Sequence, residues 1–360
     1  MVTVLPVLKG ASKLRYRPLG TTGLSVSEIS FGAGPVSALL TDGAFEDRHS
    51  VVSRAVELGI NWFDTAAGYG AGKSEANLGE ALQLVRRPQP LHVATKVRLL
   101  IDRETDLRPL VASSFRESLR RLKMPRVTLL QLHNSVTPRR GDEPTSITPE
   151  DVLGPHGVLA AMEDLRAAGL VDHFGLTGIG DPEALRQVMR SQRFATIQAP
   201  VHVLNPSALV KTPYCFCEPD YGGFLREAKE LGLGLFAIRV FAAGALLCEP
   251  PSAHTHRTPF FPLALYKRDH ARAKRLSEVL GSVKLLRELA LRYALTQPEL
   301  DSAIMGFGKV EHVEEAIRIS QMGPLSAAEI EHVNLLLSNL IATGICDGSA
   351  LETQGAGAAQ

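Results

Sequence analysis

The chain has 360 residues, of which 45% are hydrophobic and 21% charged, and its formal net charge is +1. This composition is typical of a globular protein and argues against a disordered or fibrous chain. The near-zero charge gives no general reason to expect nucleic acid or an anionic membrane as a partner.

The termini and the cysteines suggest a protein of the cytoplasm. No apolar run approaches the roughly 18 residues that a membrane-spanning helix needs, and the N-terminal segment places apolar residues ahead of positive charges, unlike a secretory signal. Four cysteines are too few for a disulfide framework, and the spacing of Cys215 and Cys217 is a poor match to structural zinc sites. We predict reduced thiols, no metal site and flexible ends at 1–13 and 345–360.

Short β-rich runs alternate with longer helical patterns along the whole chain. The first run, LRYRPLGTTGLSV at 14–26, predicts two short strands around a glycine turn, a hairpin that could plug the bottom of a barrel. Eight further strands are predicted, at 28–34, 60–66, 91–97, 127–133, 173–178, 194–200, 233–239 and 301–307.

Helical patterns fill the spaces between these strands. Three of them begin with clear N-terminal signals, which are Thr148-Pro149 with Asp151, Asp181-Pro182 with Glu183, and Ser326 with Glu329. Further helices are predicted at 46–59, 75–86, 107–123, 221–231, 281–296 and 310–320.

Strands that alternate with helices form βαβ units and a parallel sheet. Eight units match a closed (β/α)8 TIM barrel, with the hairpin as its plug and the helix after Ser326 as an extra C-terminal helix. The alternative is an open doubly wound sheet, which usually carries G-x-G-x-x-G after its first strand. Gly32 and Gly34 follow the first strand, but nothing completes that motif. We therefore predict one barrel domain over 1–360, with a core of about 14–340.

Four polar residues occur at or just after the ends of three successive strands. In a barrel, chemistry collects at the C-terminal ends of the strands, where inward side chains converge. If Asp64, Lys96 and His133 point inward, they meet at the top of the barrel, with Tyr69 on the loop above them. Any one of them could be an ordinary polar residue, but packing is a poor explanation for the whole set.

These residue types suit proton transfer at a carbonyl or hydroxyl oxygen. A tyrosine hydroxyl ordinarily has a pKa near ~10, and a neighbouring ammonium favours the phenolate. A carboxylate can hold the ammonium of Lys96 in place, and a neutral His133 can donate a hydrogen bond to a substrate oxygen. A metal site is disfavoured because the lysine would repel the ion.

Four motifs occur in order along the chain, LGTTGLSVSEISFG, NWFDTAAGYGAGKSEANLGEAL, ATKV and LLQLHN. Over about residues 14–340 they resemble the successive signatures of the aldo-keto reductase superfamily. The resemblance implies a (β/α)8 barrel that binds a nicotinamide cofactor without a Rossmann motif, with Asp64, Tyr69, Lys96 and His133 as its catalytic tetrad. In that scheme a hydride passes between nicotinamide C4 and a carbonyl carbon while Tyr69 protonates the oxygen, and oxidation reverses both steps.

The same resemblance implies contacts to the nicotinamide and the diphosphate. Thr177 and Gln198 would hold the carboxamide, although Gly178 stands where the family has an asparagine. Arg239 resembles a variant of the sugar-dehydrogenase-like branches that could contact cofactor phosphate, and a salt-bridged structural arginine is the alternative. The loop over the diphosphate would include Gly244.

The adenosine end is expected after the last barrel strand. That loop leads into a helix N-terminus, whose unpaired amides suit an anion, and it contributes Gly306, Phe307 and Gly308. Glu315 matches the family's adenine contact. His312 and Ala316 replace the family's arginine and asparagine for the 2′-phosphate, which leaves Lys309 as the nearby permanent cation. We favour NADP(H), with NAD(H) possible.

Two other functions are compatible with such a barrel, a cofactor-sensing regulatory subunit with little turnover and a metal-dependent hydrolase or isomerase. The complete tetrad argues against the first, and Lys96 against the second. The loops at 134–150 and 203–222 are predicted to form the substrate pocket. Because the sequence offers no obvious anion clamp beyond the cofactor contacts, we expect a neutral aldehyde, ketone or aldose as substrate.

Overall fold

The structure is a computed structural model, and its termini and three internal segments are not described. The described residues are 14–86, 89–101, 106–210 and 219–342. The ends predicted to be flexible, 1–13 and 345–360, and the cysteines Cys215 and Cys217 lie outside them. Cys248 is a partly buried free thiol.

Eight parallel strands close into a barrel in which each strand neighbours the next along the chain, as the sequence predicted. The barrel strands are β3 (Ile29–Gly32), β4 (Trp62–Asp64), β5 (His92–Val97), β6 (Val127–Leu132), β7 (Val171–Thr177), β8 (Thr196–Pro200), β9 (Gly234–Ile238) and β10 (Ser302–Gly306). The first and last strands pair with Phe31 opposite Met305, and this pairing closes the ring.

Helices surround the barrel and cover its outer face. They are α1 (Leu39–Asp42), α2 (Phe45–Glu57), α3 (Lys73–Leu84), α4 (Arg108–Leu122), α5 (Pro149–Leu153), α6 (Val158–Ala167), α7 (Pro182–Met189), α8 (Phe224–Glu230), α9 (Leu263–Leu280), α10 (Val283–Thr296), α11 (Val310–Gln321) and the C-terminal α12 (Ala327–Ala342). Two 3₁₀ turns, Tyr69–Gly72 and Ala242–Leu247, follow β4 and β9. Within the described ranges, no helix is long and apolar enough to cross a membrane.

The predicted helix starts are confirmed by their hydrogen bonds. Thr148 and Asp151 form a reciprocal capping box at α5, and the Asp181 carboxylate accepts from two amides at the start of α7. Ser326 and Glu329 exchange the same pair of bonds in front of α12. Each cap satisfies amides that a helix N-terminus otherwise leaves without partners.

An N-terminal hairpin of β1 (Tyr16–Pro18) and β2 (Ser25–Ser27) closes the bottom of the barrel. Leu19 and Val26 are fully buried in the cluster that fills the lower barrel interior. The Thr21 amide also donates to the carbonyl of Gly232, which precedes β9, at 2.9 Å. The predicted plug is therefore confirmed, and it leaves the opposite, C-terminal end of the barrel as the open one.

Helix α9 was not predicted from the sequence, although it is 18 residues long. Its buried face includes Asp269 and Arg272 besides Tyr266 and Leu276. Charged residues on the inner face break the apolar stripe that normally identifies a surface helix. The buried Asp269 is tolerated because two arginines of the same helix lie beside its carboxylate. Arg268 is 3.3 Å from it and Arg272 is 4.0 Å from it.

The close approach of α3 and α4 depends on Gly79. A Cβ at this position would lie 2.3 Å from the Leu122 carbonyl oxygen. Helix propensity alone predicts that Gly79→Ala stabilises the chain by about 1 kcal/mol. We expect instead that the clash lowers the free energy of unfolding, by about 1–3 kcal/mol, in urea titrations. Ser113→Ala on the exposed face of α4 is the control and should change little; a stabilised Gly79→Ala would contradict the contact.

Candidate active site

Lys96 lies at the centre of the predicted tetrad. It is near the end of β5 and only 2% exposed. Its ammonium donates to Asp64 Oδ1 on the adjacent strand β4 and to the Thr65 carbonyl at 2.9 Å. It also lies 3.4 Å from the Tyr69 hydroxyl. One buried cation therefore contacts two of the other three predicted tetrad residues.

The charge of Lys96 is stabilised by its neighbours. Burial disfavours the ammonium, but Asp64 and Tyr69 outweigh it and raise the pKa of Lys96 above its ordinary value. The second oxygen of Asp64 accepts a hydrogen bond from Gln198 Nε2 on β8 at 2.5 Å. With both carboxylate oxygens bonded, the buried pair meets the requirement that buried charges be paired and hydrogen-bonded.

Tyr69 is brought over this pair by a tight turn between β4 and α3. Gly70, Ala71 and Gly72 all have positive φ, at 58°, 53° and 89°. Glycine adopts this conformation without steric cost, which explains two of the three residue types in the motif. The turn lets a ring that follows β4 face back across the barrel mouth, with Lys96 Nζ 5.0 Å from its centroid.

His133 follows β6 and completes the group. Its ring meets the Tyr69 ring edge-on, with centroids 5.5 Å apart. The side chain keeps some exposed surface, but Nδ1 is buried and makes no hydrogen bond within the described residues. Burial, followed by the nearby charges of Arg98 and Lys96, holds the pKa of His133 well below its ordinary value. The imidazole is therefore neutral at neutral pH.

The residues predicted to hold the nicotinamide lie on β7 and β8, next to the tetrad. Thr177 Oγ1 accepts from Gln131 Nε2 at 2.9 Å and donates to the Leu132 carbonyl at 2.8 Å. Gly178 departs from the family pattern for a packing reason. A Cβ there would lie 2.6 Å from the Phe224 ring, so this barrel cannot place an asparagine at 178 without moving Phe224.

Arg239 lies where β9 gives way to a strained loop. Its φ is 57°, and Gly244 in the following turn has φ 104°. The guanidinium donates to the Phe260 carbonyl at 2.8 Å and lies 4.9 Å from the Phe261 ring centroid. None of the described carboxylates is within ion-pair distance of it. The salt-bridged alternative therefore finds no partner in the described part of the chain.

The region around the start of α11, where the adenosine part of the cofactor is expected, contains both positive and negative side chains. Lys309 is exposed at the start of α11, as predicted, but Glu315 is paired with Arg287 of α10 at 2.5 Å. The pKa of His312 is lowered by burial and then by Lys309 and Arg287, whereas Glu249 and Glu315 act in the opposite direction. Arg287 and Glu249 were missed because both are distant in sequence from the loop that they approach.

The residues from Gly306 to Gly308 differ in how much they are exposed. Gly306 is exposed, while the Phe307 side chain is buried and packs at a tilt against Phe31, with ring centroids 5.4 Å apart. The Gly308 amide donates to His312 Nδ1 at 3.3 Å. Phe307 can therefore offer only its backbone to a ligand.

The comparisons agree with this geometry. The model of the aldo/keto reductase family matches residues 28–337. The chain is 27% identical to L-galactose dehydrogenase of Arabidopsis thaliana over 317 residues, covering 85% of this chain and 88% of that protein. It is 24% identical to pyridoxal 4-dehydrogenase of Microbacterium luteolum over 340 residues, covering 86% and 93%. The solved holo form of aldo-keto reductase AKR11C1 from Bacillus halodurans has the same fold, with TM-score 0.66, 23% identity and coverage of 90% and 96%.

Removing Lys96 should leave a buried carboxylate without its partner. We expect Lys96→Met to lower the free energy of unfolding by about 3–5 kcal/mol, measured by urea titration at pH 7. The double variant Lys96→Met/Asp64→Asn should lose less than the single one, because it buries no unpaired charge.

Lys73 provides a matched control for this prediction. Its ion pair with Asp42 is 3.8 Å long and both side chains are mostly exposed, so Lys73→Met should cost less than about 1 kcal/mol. Equal losses for the two lysine variants would show that Lys96 and Asp64 are not a desolvated pair.

Proposed function

Because the chain belongs to the aldo/keto reductase family, we propose that it transfers a hydride between a nicotinamide cofactor and the carbonyl or CH–OH group of a small molecule. The family and its dehydrogenase relatives make it an oxidoreductase that acts on such groups. The proposal for its mechanism depends on one observation above all, the contact of a buried Lys96 ammonium with both Asp64 and Tyr69.

Tyr69 is the proposed general acid in reduction. Its hydroxyl lies 3.4 Å from Lys96 Nζ, so the phenolate that remains after proton transfer has a cation beside it. Asp64 keeps that cation in place, and in oxidation the same phenolate accepts the proton. An acid positioned in this way typically contributes a factor of about 10²–10⁴ to the rate.

His133 is the proposed hydrogen-bond donor to the carbonyl oxygen. Its ring meets the Tyr69 ring edge-on, so an oxygen beside the tyrosine hydroxyl is also close to the imidazole. Because the lowered pKa keeps His133 neutral, it can orient the oxygen without replacing Tyr69 as the acid.

The residues around the tetrad fit a dinucleotide. When bound, the nicotinamide supplies or accepts the hydride. Thr177 and Gln198 offer a hydroxyl and an amide at buried strand ends, and the Gln131 Oε1 beside them is buried without a hydrogen-bond partner among the described residues. Arg239 and the turn at Gly244 are the proposed diphosphate contacts, since a guanidinium that forms no ion pair with the described carboxylates suits phosphate oxygens.

The proposed substrate is an aldehyde, a ketone or an aldose. The Arabidopsis relative named L-galactose dehydrogenase supports the aldose. The loop at 134–150 is a proposed wall of the pocket, and Asn134 fixes it by accepting from the Leu99 amide at 2.8 Å and donating to the Thr145 carbonyl at 2.6 Å. A cytoplasmic location stays a prediction.

We propose NADP(H) as the preferred cofactor, with NAD(H) possible. Lys309 is exposed at the start of α11, and Arg287 is close enough to lower the pKa of His312 with it. Glu249 and Glu315 oppose a 2′-phosphate, but Glu315 is already neutralised by Arg287. Lys309 and Glu249 then remain, and the preference depends on Lys309 because it lies at the N-terminus of α11, where the 2′-phosphate is expected.

The variant Lys309→Ala tests this preference. It should weaken NADPH binding more than NADH binding, by about 1–2 kcal/mol, because the lost bond is charge-assisted only with the 2′-phosphate. Quenching of cofactor fluorescence measures both affinities, and Lys274→Ala on the exposed surface of α9 is the control. Equal losses for the two cofactors would remove the argument for NADP(H).

The variant Tyr69→Phe tests the assignment of the acid. Turnover of an aldehyde with NADPH should fall by a factor of about 10² or more, while cofactor affinity stays nearly unchanged, because only the proton donor is removed. Tyr16→Phe, which loses a hydroxyl at the opposite end of the barrel, should retain wild-type turnover. Near-normal activity of Tyr69→Phe would mean that another group is the acid.

A further inference from the structure

Arg98 lies at the barrel mouth, and its role in the mechanism described above is limited to helping burial lower the pKa of His133. It follows the end of β5, two residues after Lys96. Because side chains alternate along a strand, Arg98 faces the same side of the barrel wall as Lys96. Its Nη2 donates to the His133 carbonyl at 3.2 Å. Its guanidinium also lies 3.8 Å from the ring centroid of Phe260, which covers it from above.

The Arg98 guanidinium is only partly satisfied by the residues that the structure describes. Its Nε is buried without a hydrogen bond, and no carboxylate of the described ranges forms an ion pair with it. Burial lowers the pKa of Arg98, and the one nearby group that opposes this effect is Tyr69. Desolvating a cation without an anion is unfavourable, so the arrangement favours an anion that enters from solution.

The position of Arg98 is on the substrate side of the mouth. Arg98 follows β5 beside the tetrad and contacts His133, whereas Arg239 follows β9 on the other side of the ring and approaches Arg98 through Phe260. A carbonyl oxygen beside Tyr69 and His133 would place the adjoining substituent next to Arg98. Phe260 covers this space, because its carbonyl accepts a hydrogen bond from Arg239 and its ring lies against the Arg98 guanidinium.

We propose that Arg98 binds a carboxylate of the substrate, so that the substrate is a carbonyl compound or sugar that also carries a carboxylic acid group. One planar guanidinium edge matches one planar carboxylate. This inference depends on the proposed function and narrows its substrate class, replacing the neutral substrate that the sequence suggested. Arg98 could not be identified from the sequence, because only the folded structure shows which carboxylates lie near it.

Paired substrates that differ only in charge test the proposal. The pairs are 3- and 4-carboxybenzaldehyde with the corresponding formylbenzamides, each reduced with NADPH. The wild-type kcat/KM should favour the carboxylates by a factor of about 10–100, as expected for a charge-assisted hydrogen bond. In Arg98→Met this ratio should fall to about 1, and Arg98→Lys should restore part of it.

A matched control separates a local effect from a general loss of positive charge. Arg120 on α4 is paired with Glu117 at the surface, so Arg120→Met should keep the wild-type ratio. A wild-type enzyme without preference, or an Arg98→Met variant that loses both substrates equally and keeps the ratio, would overturn the proposal and leave the proposed function standing. Failure to reduce any of the aldehydes while NADPH binds would contradict the proposed function itself, and the inference with it.

Discussion

The arrangement of the barrel mouth depends on one buried ion pair, Asp64 with Lys96. Such a pair is expensive to desolvate, and it persists only where further hydrogen bonds satisfy both charges. Here the Thr65 carbonyl, just after β4, and the Gln198 amide, on β8, do so. A closed barrel can hold groups from β4, β5 and β8 in fixed positions around one point, which explains why this pair occurs at its C-terminal end.

The other properties of the site follow from that cation. Lys96 gives Tyr69 a stabilising neighbour, and burial, with the charges of Arg98 and Lys96, keeps His133 neutral. Lys96, Arg98 and the buried Asp64 together carry a net positive charge at the mouth. Such a site stabilises negative charge that develops on a substrate oxygen, and it also suits a substrate that brings an anionic group to Arg98.

Much of the fold, and the meeting of Asp64, Tyr69, Lys96 and His133 at one end of the barrel, could be predicted from the sequence, because both depend on local patterns. The eight strands are short apolar runs bounded by turns, and Asp64, Lys96 and His133 recur at strand ends in order. What could not be predicted depends on contacts between distant segments. Charges on the inner face of α9 hid that helix, and Arg287 pairs with Glu315 across 28 positions of the chain. Gly178 is explained only by Phe224, which packs against it in the folded barrel.

The central claim is that this mouth carries out hydride transfer, and an isotope experiment tests it most directly. An aldehyde is reduced by the enzyme in ordinary water with NADPH or NADH that carries deuterium at both C4 positions of the nicotinamide. Hydride transfer from the cofactor gives an alcohol with one deuterium on the former carbonyl carbon, and mass spectrometry and proton NMR spectroscopy detect it. An alcohol that contains no deuterium on that carbon would contradict hydride transfer.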